Sequence, residues 1–426
     1  MKLELERQEF LKAWQIAERF VDTKTSNESL KGILMTAHED NTVTLEATDL
    51  KTSVRCNANG VNVTEPGFAV LPAGIVGAML RKADHEILSL EVNSARGFLK
   101  AGNNKTRCTV LQSENFPKLP ESINAEEIFT LKAGRLAKII SEGGSSASLP
   151  QDFPKYMGTC LLRTDTNNNS IKCASTDGRR LSLSMISPVD EGEKILKDND
   201  LLLPAAALKE LAKMTEASYS DKEVKILAEE STVWFSLEGI EFSIRRIEAA
   251  FPNYERILNS ELKTKLIINS SDLLNAIERV DIIAKATPAH IMAMALHPNG
   301  EVRITARAPE RGTASEVISG KIEGEYLQLG FNVGYFQDGL KALGPCEISI
   351  EFSSDEGQTR MRRVENPEDF LYMLMPARLS AQDSIPEEEM MDFANTDFNA
   401  PQPQPQPEQE QGQEPAPENN NQENNY

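Results

Sequence analysis

The chain lacks most of what catalysis or a membrane would require. Its four histidines, His38, His85, His290 and His297, each stand apart from any second histidine or cysteine at metal-ligand spacing. No glycine-rich phosphate loop, dinucleotide fingerprint or GxSxG elbow occurs. The five cysteines, Cys56, Cys108, Cys160, Cys173 and Cys346, are odd in number and scattered. They read as buried thiols in a reducing compartment, not as a disulfide framework. Lys2, Glu4, Glu6 and Arg7 stand where a secretory leader would need an apolar core. No apolar run approaches the roughly 20 residues of a membrane span. These absences point to a cytoplasmic protein with no catalytic residues, no metal and no cofactor, although an unfamiliar enzyme built from a triplicated domain remains a second reading.

Positive charge is also scarce. The net charge is −20, and residues 380–426 contribute eleven carboxylates with no Lys or Arg, so the remainder stands at −9. Tight gripping of nucleic acid by the whole surface is therefore not expected, while a local basic face is. That C-terminal stretch is rich in Pro, Gln and Asn and poor in large apolar residues. It cannot bury enough surface to fold and is expected to be a disordered tail.

What the chain does have is a pattern stated three times. A strand running into an amphipathic helix begins at Lys2, Ile128 and Lys265. An alternating strand and turn follows at Thr42, Ser170 and Glu301, then a second strand-into-helix at Phe68, Leu201 and Leu327. Each copy closes with a strand, the first two ending in Phe116-Pro117 and Phe251-Pro252 and the third in Met375-Pro376. Pro72 and Pro204 suit the first turn of a helix, and Asn332 suits the same place as a capping side chain. The expected architecture is α+β with antiparallel sheets, divided into 1–125, 126–260, 261–379 and the tail 380–426.

Few residues stand out from this pattern. Asp49 and Asp177 hold matching places in two copies, where turn chemistry explains them better than a catalytic carboxylate pair. The helices carry Lys12, Arg19, Arg81, Lys82, Lys132, Arg135, Lys138, Lys209, Lys213, Arg279, Lys285 and Lys341. Singly these are solvated charges; together they could make one surface less negative than the rest, suited to weak backbone contacts. Thr176-Asp177-Gly178-Arg179-Arg180-Leu181 reads as a hairpin turn, which leaves its two arginines unexplained. Phe370–Leu379 reads first as a core strand, with Met373, Met375 and Pro376 offering an adaptable apolar groove as the alternative.

The motifs TDGRRL at 176–181, FPNYERIL at 251–258 and YMLMPARL at 372–379, within the threefold repeat, resemble the bacterial β sliding clamp family. Ala47–Leu50 and Phe116–Leu119 fit as well, and the resemblance covers residues 1–379. It implies three tandem clamp domains per chain and a head-to-tail homodimer, a ring with sheets outside and helices around double-stranded DNA. It also implies a non-catalytic processivity factor that tethers the replicative polymerase catalytic subunit, the clamp loader, and repair polymerases through short peptides. A peptide-binding adaptor ring without DNA function is the alternative.

Carried over by motif, the peptide pocket comprises Met157, Thr176, Gly178, Arg179, Arg180, Leu181, Pro252, Arg256, Ile257, Met373, Met375, Pro376, Ala377 and Arg378. DNA contacts fall on Lys24, Gln151, Lys155 and Tyr156, with Arg81, Lys82, Lys138, Lys209 and Lys213 from the helices. The ring interface falls on Thr106, Cys108, Ile282 and Ile283. Relatives are more apolar at the first two of these, so a somewhat weaker dimer is expected. Ala377 and Arg179 replace residues common in relatives and bear on peptide preference. In the tail, Glu389–Phe393 loosely resembles a clamp-binding peptide.

Overall fold

The computed structural model describes residues 1–148, 153–259, 263–309, 311–353, 357–380 and 384–385. Met1–Ser384 forms one contact-connected unit, which holds every strand and helix among the described residues. Each repeat contributes nine strands and two helices among the described residues. The first holds β1 (Lys2–Glu6), β2 (Gly32–Ala37), β3 (Val43–Thr48), β4 (Thr52–Ala58), β5 (Val61–Glu65), β6 (Gly67–Pro72), β7 (Ile87–Val92), β8 (Arg96–Ala101) and β9 (Asn104–Thr109). The second holds β10 (Glu126–Lys132), β11 (Thr159–Asp165), β12 (Ser170–Thr176), β13 (Arg180–Ile186), β14 (Lys194–Ile195), β15 (Asn199–Pro204), β16 (Glu223–Ala228), β17 (Thr232–Leu237) and β18 (Ile240–Arg245). The third holds β19 (Thr264–Asn269), β20 (Ile291–Leu296), β21 (Glu301–Ala308), β22 (Gly312–Ser319), β23 (Lys321–Glu323), β24 (Leu327–Asn332), β25 (Glu347–Phe352), β26 (Thr359–Arg363) and β27 (Phe370–Leu374). The helices pair within repeats: α1 (Arg7–Glu18) with α2 (Ala73–Lys82), α3 (Ala133–Gly143) with α4 (Ala205–Tyr219), and α5 (Ser270–Ala284) with α6 (Val333–Leu343).

Local chemistry explains the boundaries. In α3 the buried Ala133, Leu136, Ala137 and Ile140 recur at helical spacing and form one apolar stripe. Asn269 and Asn332 cap α5 and α6, accepting from Ser271 N at 2.9 Å and Tyr335 N at 3.0 Å. Pro72 and Pro204 end their strands one residue before the helix, not inside its first turn. The repeats close earlier than the sequence suggested: β9 and β18 end at Thr109 and Arg245, and the Phe-Pro pairs lie in the connecting segments beyond. A proline has no N–H to give to a ladder, so these segments cross the surface instead of extending the sheet. Gly143 is required where α3 meets β12, because a Cβ there would lie 2.3 Å from the Cys173 carbonyl oxygen.

Every strand pairing is antiparallel, and the sheets ignore the repeat boundaries. β18 pairs with β4, Ser243 opposite Ser53, to give a nine-stranded sheet shared by the first two repeats. β27 pairs with β13, Met373 opposite Leu181, to give a second nine-stranded sheet shared by the last two. What remains is a five-stranded sheet ending at β9 and a four-stranded sheet ending at β22.

Side chains reinforce both junctions. Phe20 packs on Phe242 at 4.8 Å between centroids at the first. At the second, buried Glu142 of α3 accepts from Arg363 Nη2 at 2.7 Å and from Ser184 Oγ at 2.6 Å. Arg363 also donates to the Leu343 and Ala342 carbonyls and lies over the Phe370 ring. Removing one partner of such a pair strands a buried charge, so Arg363→Met should cost about 3 kcal/mol in denaturant unfolding. Adding Glu142→Gln to that variant should recover part of the loss.

Candidate functional site

The ladders set the three copies in register. Glu46, Ala174 and Thr305 hold one position of the third strand of each copy, facing Arg55, Leu183 and Ser315 on the fourth. Across the first junction Glu241 lies opposite Arg55, and across the second Leu371 lies opposite Leu183. The same cross-strand row is thus Glu46-Arg55-Glu241 at one junction and Ala174-Leu183-Leu371 at the other. At the first, Arg55 binds Glu46 at 2.8 Å and Glu241 at 3.3 Å. At the second, the row joins an apolar patch of Leu161, Leu181, Leu202, Tyr254 and Met373, with Ile247, Phe251 and Leu258 packed on it. An apolar patch can receive an apolar side chain, whereas the ion-paired row is already satisfied.

The structure gathers part of the expected pocket on this patch. Leu181 and Met373 are buried opposite one another. Met157 lies against the hairpin, its Cε 3.3 Å from where a Cβ on Gly178 would stand. Gly178 has φ +85°, a conformation a side chain would strain. Asp177 shapes the turn by accepting from the Arg179 and Arg180 amides at 3.0 and 3.1 Å, and the Thr176 hydroxyl donates to the Arg180 carbonyl at 2.7 Å. Met375 donates its amide to the Arg179 carbonyl at 2.9 Å and is 48% exposed. Ile257 is 49% exposed, Pro252 is half-buried, and Arg179 and Arg256 are exposed at the surface. Phe370–Leu374 is core, as its composition favours, and only from Met375 onward does the segment emerge.

Two groups sit elsewhere. Strand alternation sends Arg180 to the helix side of the sheet, away from Leu181. There it donates to Asp177 at 2.8 Å, Asp338 at 2.6 Å and the Tyr372 hydroxyl at 3.2 Å, over the Tyr335 ring. Burial opposes its charge, but Tyr372, Asp338 and Asp177 outweigh that cost and push its pKa up. Arg180 therefore ties the second repeat to the third. Pro376, Ala377 and Arg378 run beside β24, where Ala377 donates to the Gly330 carbonyl at 2.8 Å. They wall a separate cleft of about 680 Å³ with Gln328, Leu329 and Ser384. Reading the sequence did not identify Leu161, Ala174, Leu202, Tyr254 and Leu371. The apolar alternation of β13 and β27 was the available signal, and it names no partner strand.

The bases proposed for DNA differ in freedom. Arg81 is paired with Glu18 at 2.7 Å and Lys213 with Glu210 at 2.8 Å. Lys24, Lys82, Lys138, Lys155 and Lys209 have no ion-pair partner among the described residues. Tyr156 is half-buried, edge-on to Phe251 at 6.2 Å. Gln151 lies outside the described residues, as does Glu389–Phe393. Among the described residues no group of His, Cys, Asp or Glu is placed to hold a metal, and no helix is long and apolar enough to cross a membrane.

The interface candidates lie at the two remaining sheet ends, on β9 and on α5 beside β22. Thr106 and Cys108 lie on edge strand β9, Thr106 exposed and Cys108 buried. Ile282, 72% exposed, and half-buried Ile283 lie on α5. By the ladders Thr106 corresponds to Phe242, and by position from the helix start Ile283 corresponds to Phe20, the pair packed together at the first junction. Beside them, Asp281 accepts from His290 Nε2 at 2.6 Å, Lys285 Nζ at 2.7 Å and Gln337 Nε2 at 3.1 Å.

Comparison with known proteins identifies the family and the fold. Family models of the DNA polymerase III beta subunit match over residues 1–120 (N-terminal domain), 130–253 (central domain) and 255–378 (C-terminal domain). The chain is 27% identical over 361 residues to the beta sliding clamp of Staphylococcus epidermidis, covering 83% of this chain and 93% of that one. It is similar in fold to the Thermotoga maritima DNA polymerase III beta subunit, at TM-score 0.80 and 20% identity. The Pseudomonas aeruginosa sliding clamp bound to griselimycin aligns at TM-score 0.81 and 22% identity. Both alignments cover 89% of this chain and 100% of the other.

Burial raises the Asp281 pKa, but its hydrogen bonds from Lys285, His290 and Gln337 outweigh that and hold it below the ordinary 3.8. A carboxyl depressed on folding contributes stability above its unfolded pKa and loses it as pH falls through the folded value. Asp281→Asn should therefore cost about 2 kcal/mol in thermal or urea unfolding at pH 7. The gap to the wild type should narrow as the pH drops below about 4.

Proposed function

Because the chain belongs to the DNA polymerase III beta-subunit family, the sliding clamps, we propose that two copies close head to tail into a ring around double-stranded DNA. A sliding clamp is a processivity factor with no catalytic chemistry of its own. Its clamp domains here are taken as 1–125, 126–260 and 261–379, with 380–426 as a tail. The observation that carries the ring is the unequal use of equivalent strand edges. Two of three equivalent junctions, β4 with β18 and β13 with β27, are made within the chain. The third pair of ends, β22 and β9, is left at sheet edges. A heterologous contact of this kind closes when the rotation per subunit permits it.

In this ring, with the internal register continued, Thr106 would pair with Ala314 of the partner subunit and Cys108 with Gly312 of the partner subunit. Ile283 then meets Thr106 where Phe20 meets Phe242 within the chain. An isoleucine and a threonine bury less apolar area than two phenylalanines, which supports a ring easier to open than the internal junctions.

DNA is held by topology more than by affinity, which suits an acidic body whose unpaired lysines Lys24, Lys82, Lys138, Lys155 and Lys209 make weak phosphate contacts. Clients dock on the apolar patch between the second and third repeats. They are the replicative polymerase catalytic subunit, the clamp loader and repair polymerases, each offering a short peptide with apolar anchors. The ring works in the cytoplasm, on the chromosome.

Light scattering should give a dimer for the full chain and a monomer for Ile283→Asp. After loading, the wild-type ring should stay on circular DNA and leave linearised DNA by its ends. Equal loss from both would favour the adaptor reading without DNA. Leu183→Arg, which puts a charge between Ala174 and Leu371 on the apolar row, should weaken client-peptide binding by at least tenfold while leaving the dimer intact.

A further inference from the structure

A second cleft opens at the far end of the same apolar floor. It encloses about 330 Å³ between β11, β15 and the segment that follows β18. Leu161, Leu202, Ile247 and Phe251 form its apolar base. Two of these, Leu161 and Leu202, also belong to the patch that holds Leu181 and Met373, so the floor is continuous.

The walls are charged, and their charges are not all used. Arg163 is claimed by a two-pronged pair with Asp200, at 2.7 and 2.8 Å, and by Glu255 at 3.5 Å. Arg246 is tied to the carbonyls of Glu229 and Asp200 at 3.2 and 2.9 Å. Glu230 and Glu248 line the rim, exposed, with no ion-pair partner among the described residues. Counting all five ionic groups of the lining, carboxylates outnumber guanidiniums, and Glu255 beside Arg163 adds to the excess.

A buried group in the adjoining apolar patch also lacks a partner. Tyr254 is 4% exposed, and its hydroxyl is buried without a hydrogen bond.

We propose that this cleft is a second anchor for client peptides and takes a lysine or arginine side chain. The aliphatic stem lies on Leu161, Leu202 and Ile247, and the charged head reaches Glu230 and Glu248 at the rim. The inference rests on the reading of the Leu181–Met373 patch as the client pocket. Between that pair and Leu161–Leu202 lie three strand spacings, on the order of 14 Å, which an extended peptide covers in about four residues. A client with a base about four residues from its apolar anchor would therefore engage both sites. The second contact would then act at high effective concentration.

The test uses the full chain and three synthetic peptides in fluorescence anisotropy at low salt. One is a core of Gln-Leu-Ser-Leu-Phe; the others extend it at either end by a four-residue spacer ending in Lys-Lys or in Gln-Gln. The lysine extension should bind about fivefold more tightly than the glutamine extension, equivalent to about 1 kcal/mol. Glu230→Gln with Glu248→Gln should abolish that gain and leave core-peptide affinity unchanged. Equal binding of the two extensions would overturn the proposal. So would a gain that survives the double substitution, which would trace to general attraction by the acidic body. Failure of the core peptide to bind would sink the pocket reading instead. In that case methyl NMR shifts of Ile247 and Leu202 on adding the lysine-extended peptide decide the cleft alone: shifts lost in the double variant support it, and none overturn it.

Discussion

Antiparallel pairing of the last strand of one repeat with the fourth strand of the repeat before it holds the molecule together. A sheet edge exposes a row of backbone donors and acceptors that must find partners or water. Here each repeat offers its fourth and last strands for such pairing; both are paired in the second repeat, and one each in the first and third. The connecting segments then tie down the other sheet in the same way each time. Leu111, Ile247 and Ala377 donate their amides to the carbonyls of Val70, Leu202 and Gly330, three equivalent pairs. The repeated hydrogen bonds make the repeat structural as well as textual.

On that common backbone the side chains make the junctions unequal. The first is closed by an aromatic pair inside and an Arg55-centred ion pair outside. The second reverses this polarity: Glu142–Arg363 and Arg180–Asp338 lie on the helix side, and leucines lie on the outer face. Buried ion pairs give little net stability, but they tolerate few alternative alignments. Placing them inside leaves the outer face of this junction free to be apolar, and so free to bind.

Much of this was legible beforehand. The helical stripe of α3, the cap at Asn332, and the turn at Asp177-Gly178 follow from local rules, and the structure obeys them. The Phe-Pro closures misled, because a phenylalanine in a linker looks in sequence like the end of a strand. Arg180 also read as a pocket residue by its neighbours in the motif. Its side of the sheet depends on register, since one residue along a strand turns a side chain to the opposite face.

The sequence by itself determined three similar α+β units, their helices and turns, and an acidic composition. Short-range hydrogen bonding and periodicity act over a few residues, so one strand of text suffices to read them. Only the tertiary structure decided that Ala174, Leu183 and Leu371 form one row while Glu46, Arg55 and Glu241 form its ionic counterpart. Each row joins residues far apart in the chain, across edges whose backbone groups pair without regard to side chain. What those side chains then make together depends on which edges meet.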